Sequence, residues 1–450
     1  MQPPAVRSMP GELPPLWERQ AVFVANLLAL FFGNEHETEA LRKTVGTLET
    51  YGGRLVPILQ LLFRSGPCLL VLNREPDAAL LLYHQEELGL SLPRRFLIPH
   101  DEYRSLDSNA PSRTARALLE EISAHAAPWI DGFVTDARLE FVAERCGKKT
   151  VTTCEGSRAG NNKLNLHRYL REAGLPTFVG IEIERPEGLA EAIDALREMG
   201  FERAAVKSQI GASGIGLLRL DLRRPESIPD YLFHEGTCLV QGWLDHTVDG
   251  IRVIGSPSVQ LFLDEAGISL YDITEQILSG KSIHEGNVAP LPYEAEHPGL
   301  SAELLRQAGI AGQWLHGQGY RGTASVDFHV ALRGGEVEAR ICEINARVTG
   351  ATYPALLARR FLPGGAWLMR NIRFRAPVQA EDLLTALRRA GLLYLTTNQR
   401  GVLPVNFNTD AEGLVVKGQF LCLDARLDGV RALLETLREV LRVESDYDRD

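Results

Sequence analysis

Apolar residues in this chain come in short blocks whose spacing switches between two residues and roughly 3.6, the periods of a half-buried strand and an amphipathic helix. Cys68-Leu69-Leu70-Val71-Leu72 is a continuous apolar run, the pattern of a parallel strand covered on both faces. Val56-Pro57-Ile58-Leu59, Phe96-Leu97-Ile98-Pro99 and Gly132-Phe133-Val134-Thr135 read as further short strands. Leu16 to Phe32, Ala78 to Leu88 and Ala115 to Ala126 read as helices, and the proline-rich start, Met1 to Pro15, as extended or mobile chain. Alternating helix and strand predicts an open α/β sheet domain over residues 1–152.

From Thr153 the pattern changes. Gly156 to Lys163 reads as a polar loop feeding a helix, Leu164 to Ala173, closed by Gly174 and Pro176. Lys163 then stands at a helix start, where a cation opposes the dipole unless an anionic ligand offsets it; a solvated lysine fits equally well. Leu189 to Met199 is an amphipathic helix, Ala204 to Lys207 a short strand, and Ser208 to Gly216 a glycine-rich turn before a strand from Gly216 to Leu220. Glycines let backbone N–H groups approach a phosphate that Lys207 could also reach, yet a plain hairpin turn needs glycine too. Cys238 to Leu244 is a strand interrupted at Gln241, and the turn Asp245 to Gly250 leads to Ile251–Gly255. A hairpin over Val259 to Tyr271, a polar loop from Ser282 to Asn287 and an amphipathic helix from Leu300 to Gln318 follow.

Thr323 to Arg347 reads as strand, turn, strand. Ala324 to Val330 alternates, Arg333-Gly334-Gly335 turns the chain, and Val337 to Asn345 returns. Strict alternation would put Arg340, Cys342 and Ile344 on one face and Ala339, Ile341, Glu343 and Asn345 on the other. The hairpin can set Asp327 opposite Glu343 and Asn345, a group of hard oxygens suited to Mg²⁺ completed by substrate phosphates. Taken alone, the set suits a solvent-facing edge hairpin better; the upstream segments reverse that balance. After Arg347, a helix runs to Arg360 and Ala376-Pro377 marks a boundary. A small α+β unit over 376–450 follows: a helix from Glu381 to Ala390, strands at Leu392–Thr396, Leu403–Phe407 and Gly413–Cys422, a last helix from Gly429 to Arg442, and an acidic tail.

Composition narrows the function classes. With 450 residues and 45% apolar content, the chain can bury two to four cores. The formal net charge of −10 argues against a nucleic-acid partner held by a global basic field. Six scattered cysteines without a CxxC pair suggest neither a disulfide framework nor a zinc site, which fits a reducing cytoplasm. The longest apolar run, Ala21 to Gly33, is too short to span a membrane and has no signal-peptide cleavage pattern after it.

The order of these pieces is more informative than any one of them. Loop–Lys163–helix is followed by strand–Lys207–glycine turn, a strand ending Gln241-Gly242-Trp243-Leu244, then Asp327 and Glu343-Ile344-Asn345-Ala346-Arg347. This order resembles the ATP-grasp superfamily over about Thr153 to Phe374, the Glu-Ile-Asn-x-Arg strand being the most specific part. The flanks resemble the pre-ATP-grasp and C-terminal portions of bacterial ATP-dependent peptide ligases of the pheganomycin type. The implied fold is an ATP-grasp domain (153–375, lid about 164–237, nucleotide and metal part about 238–375) between an open α/β domain and a small α+β unit. The resemblance implies that Lys163 and Lys207 contact ATP phosphates and that Gly211 to Gly216, with Ser213 and Gly214, form a mobile lid. It implies an adenine hinge at Gln241, Gly242, Trp243 and Leu244, a ribose contact at Asp249, Mg²⁺ ligands at Asp327, Glu343 and Asn345, and phosphate stabilisation by Arg347. Arg252 is placed as a candidate for a substrate carboxylate, a structural salt bridge being as good an account. Asn162, Gln241 and Gly242 depart from the residues frequent at their positions. The implied activity joins a small-molecule or peptide carboxylate to an amine through an acyl phosphate, without nucleic acid or membrane, and allows a homodimer. A kinase of the same architecture and a non-catalytic nucleotide-binding regulator are the alternatives.

Overall fold

The computed structural model describes residues 3–45, 51–212, 214–224, 227–278, 284–441 and 443. The acidic tail expected from Glu444 and the loop residues Ser282 and Ile283 lie outside them.

Near the N-terminus, five parallel strands stack in the order Arg94–Leu97, Leu69–Leu72, Ala21–Val24, Trp129–Gly132, Lys149–Thr150. The central strand falls inside the run read above as a helix. All four residues of Ala21-Val22-Phe23-Val24 are buried between neighbouring strands, where β-branched and aromatic side chains fit the pleat; a short apolar run does not reveal by itself which element it forms. Val56–Leu62 errs the other way: it is a helix with Pro57 in its first turn, where no N–H is missed. The strand expected at Gly132–Thr135 ends instead at Gly132. Nor is the N-terminal segment loose, because Ala5–Ser8 pairs in parallel with Gly267–Leu270.

A second, antiparallel sheet orders Gly180–Ile183, Cys238–Gly242, Arg203–Ala212 and Ile215–Asp221 around its own core with the helix Leu189–Glu198. Most of the expected glycine turn is strand. Pairing slips between Lys207 and Ala212, and the chain reverses only around Gly214, whose φ is +79°.

The third sheet has ten strands. Its main path runs Ile251–Gly255, Gly322–Arg333, Pro257–Leu263, Gly267–Leu278, His284–Ala289, Ala366–Val378, Val415–Asp424, Gly401–Thr409, with Glu336–Asn345 paired to Gly322–Arg333. The helix Leu300–Gly317 packs on the face that carries Val259, Leu261, Val326 and Phe328. Ala366–Val378 runs straight through the boundary expected at 375/376, and the C-terminal strands continue this sheet. Leu392–Thr396 is not a strand; Leu393 alone bridges to Val402. A buried ion pair ties the layers: Arg359 reaches Asp272 at 2.9 and 2.8 Å, and Trp367 Nε1 donates to the same carboxylate at 3.0 Å.

Candidate active site

The hairpin Gly322–Arg333/Glu336–Asn345 pairs Asp327 with Glu343 and Ser325 with Asn345, the register expected above. One feature differs. Pairing jumps from Asp327–Glu343 to Phe328–Ile341, so Cys342 is an extra, bulged residue. The bulge flips the side-chain parity: Ala339, Ile341 and Ile344 all enter the core, where simple alternation separated Ile344 from the other two. Cys342 and Glu343 both face away from that core, beside Lys207 and Asp327.

On that face Asp327 Oδ1 accepts from Ser258 Oγ at 2.6 Å and Ser325 Oγ at 3.2 Å. Asn345 Nδ2 donates to Asp327 Oδ2 at 2.9 Å and lies 3.3 Å from Glu343 Oε1. Lys163 Nζ sits 2.9 Å from Glu343 Oε2 and donates to the Gly211 carbonyl, also at 2.9 Å. Burial and the charge of Glu343 push the Asp327 carboxyl up. Burial acts the same way on Glu343, but Lys163, Arg347 and Lys207 outweigh it and hold Glu343 well below the usual range. Two carboxylates forced together, only one of them neutralised by lysine, could hold a small divalent cation. Asn345 offers a third hard oxygen once its amide turns over, which exchanges near-isosteric groups. Among the described residues no group of three His, Cys, Asp or Glu side chains could hold a metal; this donor set is two carboxylates and an amide.

Two lysines converge on this face from different elements. Lys207 is buried on Arg203–Ala212 and donates to Gln241 Oε1 on the neighbouring strand at 2.9 Å. Burial lowers its pKa, partly offset by Cys342 and Glu343. Lys163 opens the helix Lys163–Glu172 as expected, and Asn162 is its cap: Asn162 Oδ1 accepts from Asn165 N at 2.9 Å while Nδ2 reaches Gln209.

The polar stretch before Lys163, read above as a loop, is largely the helix Cys154–Gly160, capped by Thr153. Its glycines serve close packing: a Cβ on Gly160 would lie 2.6 Å from the Ala346 Cβ. This approach delivers a residue that sequence reasoning missed. Asn161 Oδ1 accepts from Arg347 Nη1 at 2.5 Å, while its Nδ2 is fixed by the Ser157 and Ala346 carbonyls at 2.8 and 3.2 Å. Asn161 therefore aims the guanidinium.

Other candidates are placed less centrally. The N–H groups of Gly242 and Trp243 already donate to the Val179 and Arg203 carbonyls, at 2.9 and 3.0 Å, and the Arg219 guanidinium lies 4.8 Å over the Trp243 ring. A base bound at this hinge would use carbonyls or Leu244 instead. Asp249 is exposed in the turn before Ile251. Ser213 lies outside the described residues. Arg252 does not join the cluster. It is exposed and pairs with Leu332, whose even-numbered neighbours Val330 and Phe328 face the core, so it belongs to the side of the sheet opposite Asp327.

No family model matches the chain. A curated relative, a [butirosin acyl-carrier protein]–L-glutamate ligase from Niallia circulans, is 30% identical over 198 residues, 43% of this chain. The match spans 44% of that relative's length. Among solved structures, a biotin carboxylase–nucleotide complex from Campylobacter jejuni aligns with TM-score 0.60 at 12% identity, covering 95% of this chain and 92% of that one. An ATP complex of carboxyaminoimidazole ribonucleotide synthase from Aspergillus clavatus aligns with TM-score 0.54 at 16% identity, covering 95% and 100%.

Proposed function

Because the chain has the ATP-grasp fold, we propose that it is an ATP-dependent carboxylate–amine ligase that forms a peptide-like amide through an acyl phosphate. The observation carrying this reading is the convergence of Asp327, Glu343, Asn345, Lys163, Lys207 and Arg347 on one face of the hairpin. The relative named as an acyl-carrier-protein–glutamate ligase and the ATP- and ADP-bound structural neighbours support it. In the proposed organisation, residues 1–152, 153–375 and 376–450 are the pre-ATP-grasp, ATP-grasp and C-terminal parts, the last continuing the large sheet of the second through the strand Ala366–Val378. No helix among the described residues is long and apolar enough to cross a membrane, and with six free cysteines we place the protein in the reducing cytoplasm.

A carboxylate oxygen is a poor leaving group, so the substrate acid attacks the γ-phosphorus and ADP departs. The acceptor amine then adds to the acyl carbon, loses a proton, and phosphate leaves. Asp327, Glu343 and Asn345 would hold Mg²⁺, which neutralises charge on the phosphate oxygens when bound. Lys163 and Lys207 fix the phosphates, and Arg347, aimed by Asn161, meets the charge that spreads over the transferred group. Ser258 and Ser325 hold Asp327 in its ligating rotamer. The glycine hairpin, tied to Lys163 through the Gly211 carbonyl, excludes water from the acyl phosphate.

The test is an ADP-release screen of amino acids, peptides and modified amino acids offered in pairs. The ligase reading expects ADP only when an acid and an amine are both present. ADP formed with a lone hydroxyl compound, yielding its phosphate ester, would replace it with a kinase.

A further inference from the structure

The first-turn residue Glu37 of the helix Glu35–Val45 belongs to the N-terminal sheet domain, yet it is fully buried against the glycine hairpin of the lid. Its Oε1 lies 3.2 Å from Ser208 Oγ, and a Cβ on Gly216 would come within 2.8 Å of the same oxygen. Ser208 Oγ also lies 2.6 Å from the Ile210 carbonyl and 3.2 Å from the Gly216 carbonyl. A hydroxyl has one proton to give. The Ile210 carbonyl, at the shortest distance, is its best acceptor, and with the proton there the Ser208 oxygen has only lone pairs to offer Glu37. The contact with Glu37 is then a hydrogen bond only if the carboxyl itself carries the proton and donates to the serine oxygen.

The remaining surroundings agree. Glu37 Oε2 and both carboxylate oxygens of Glu235 are buried without a hydrogen-bond partner. An ionised pair in that state would be strongly disfavoured. Lys163 is the cation facing both carboxylates, but it is already engaged by Glu343 and Gly211. His234 and Arg158 face Glu235 as well. Beside Glu37, His36 stacks on Tyr231 of the lid with centroids 3.8 Å apart, so this helix turn is a contact point between the two units.

We propose that Glu37 is a positioning residue of the lid: as a neutral carboxylic acid it fastens the glycine hairpin to the N-terminal domain, so that closure takes up a proton. Burial, then repulsion by Glu235, raises Glu37 from 4.5 to about 7 in the docked arrangement. Released, the side chain returns towards its ordinary value. Docking is therefore unpenalised where both states are protonated. It weakens as pH rises from the ordinary value to about 7, by up to about tenfold per pH unit, and is level above that.

The test is hydrogen–deuterium exchange of the 208–216 hairpin in the full chain, wild type against Glu37→Gln, at matched pH from about 4 to about 8.5, the range bracketing the shift. Glutamine donates the same hydrogen bond without titrating. The ratio of the two rates cancels the intrinsic pH dependence of exchange and any titration of His36 or His234. The expected ratio rises at least about tenfold towards neutral pH and then levels. Glu235→Gln removes the repelling charge, so its curve should level at lower pH. A ratio flat across the range, or a Glu235→Gln curve that does not move, overturns the proposal. Since exchange reads the hairpin and not turnover, this outcome is independent of the ligase reading.

Discussion

Replacing Asp327 with asparagine should make the ligand-free protein more stable and the loaded protein less stable. Asp327 and Glu343 share the Asn345 amide, and burial with the Glu343 charge raises Asp327. Each pKa unit corresponds to about 1.4 kcal/mol, so removing the carboxylate relieves on the order of 1–3 kcal/mol once Asp327 is ionised. Weaker, uncharged hydrogen bonds from Ser258 and Ser325 take back about 1 kcal/mol. The net gain is up to about 2 kcal/mol. The sign follows from linkage: a carboxyl raised in the folded state carries no penalty where both states are protonated and the full penalty above its folded value. The advantage of asparagine should therefore be present at about pH 8 and largely vanish at about pH 4. Calorimetric melting in EDTA at the two pH values reads it. Adding Mg²⁺ and a non-hydrolysable ATP analogue at about 100 times Kd should stabilise the wild type by about 2.7 kcal/mol. The variant forfeits most of this, so the order of melting temperatures reverses. A variant that melts below the wild type in EDTA at both pH values, or above it with Mg²⁺ and analogue, would rule out this balance of charges.

Glu343→Gln should lower ADP formation by at least about 10²–10³ while circular dichroism stays native, because it removes both a metal ligand and the Lys163 partner; normal turnover would remove the metal role. Asn161→Ala should leave the KM for ATP near wild type but lower kcat by about tenfold or more through a mis-aimed Arg347; steady-state kinetics separates this from simple loss of binding. Gly216→Ala places a Cβ 2.3 Å from Ser208 Oγ at φ +78°. It should open the hairpin, seen as faster amide exchange over 208–216, and exchange as slow as wild type would contradict the packing argument. Arg252→Ala should change kcat/KM by less than about twofold, given its exposure on the far side of the sheet; a large loss would restore it to the substrate site.

The hairpin Gly322–Arg333/Glu336–Asn345 was legible because period-two alternation, a Gly-Gly turn and a short span leave little freedom in its register. Its bulge was not, since one extra residue in the return strand, Cys342, leaves no mark in composition. Ala21–Val24 was misread because a buried strand and a buried helix turn offer the same apolar run; the parallel neighbours that decide between them are distant in sequence. Asn161 and Glu37 were invisible for a related reason. Arg347 lies 186 residues from Asn161, and Ser208 lies 171 residues from Glu37. Such partners are chosen by how whole units pack, and the local pattern says nothing of them.

Activation of a carboxylate by phosphorylation is the step on which the proposed chemistry stands, and hydroxylamine trapping reads it directly. With ATP, Mg²⁺ and an acid that supports ADP release, an acyl hydroxamate should form in step with ADP. ADP released without hydroxamate, alongside a stable phosphorylated product, would contradict an acyl-phosphate ligase.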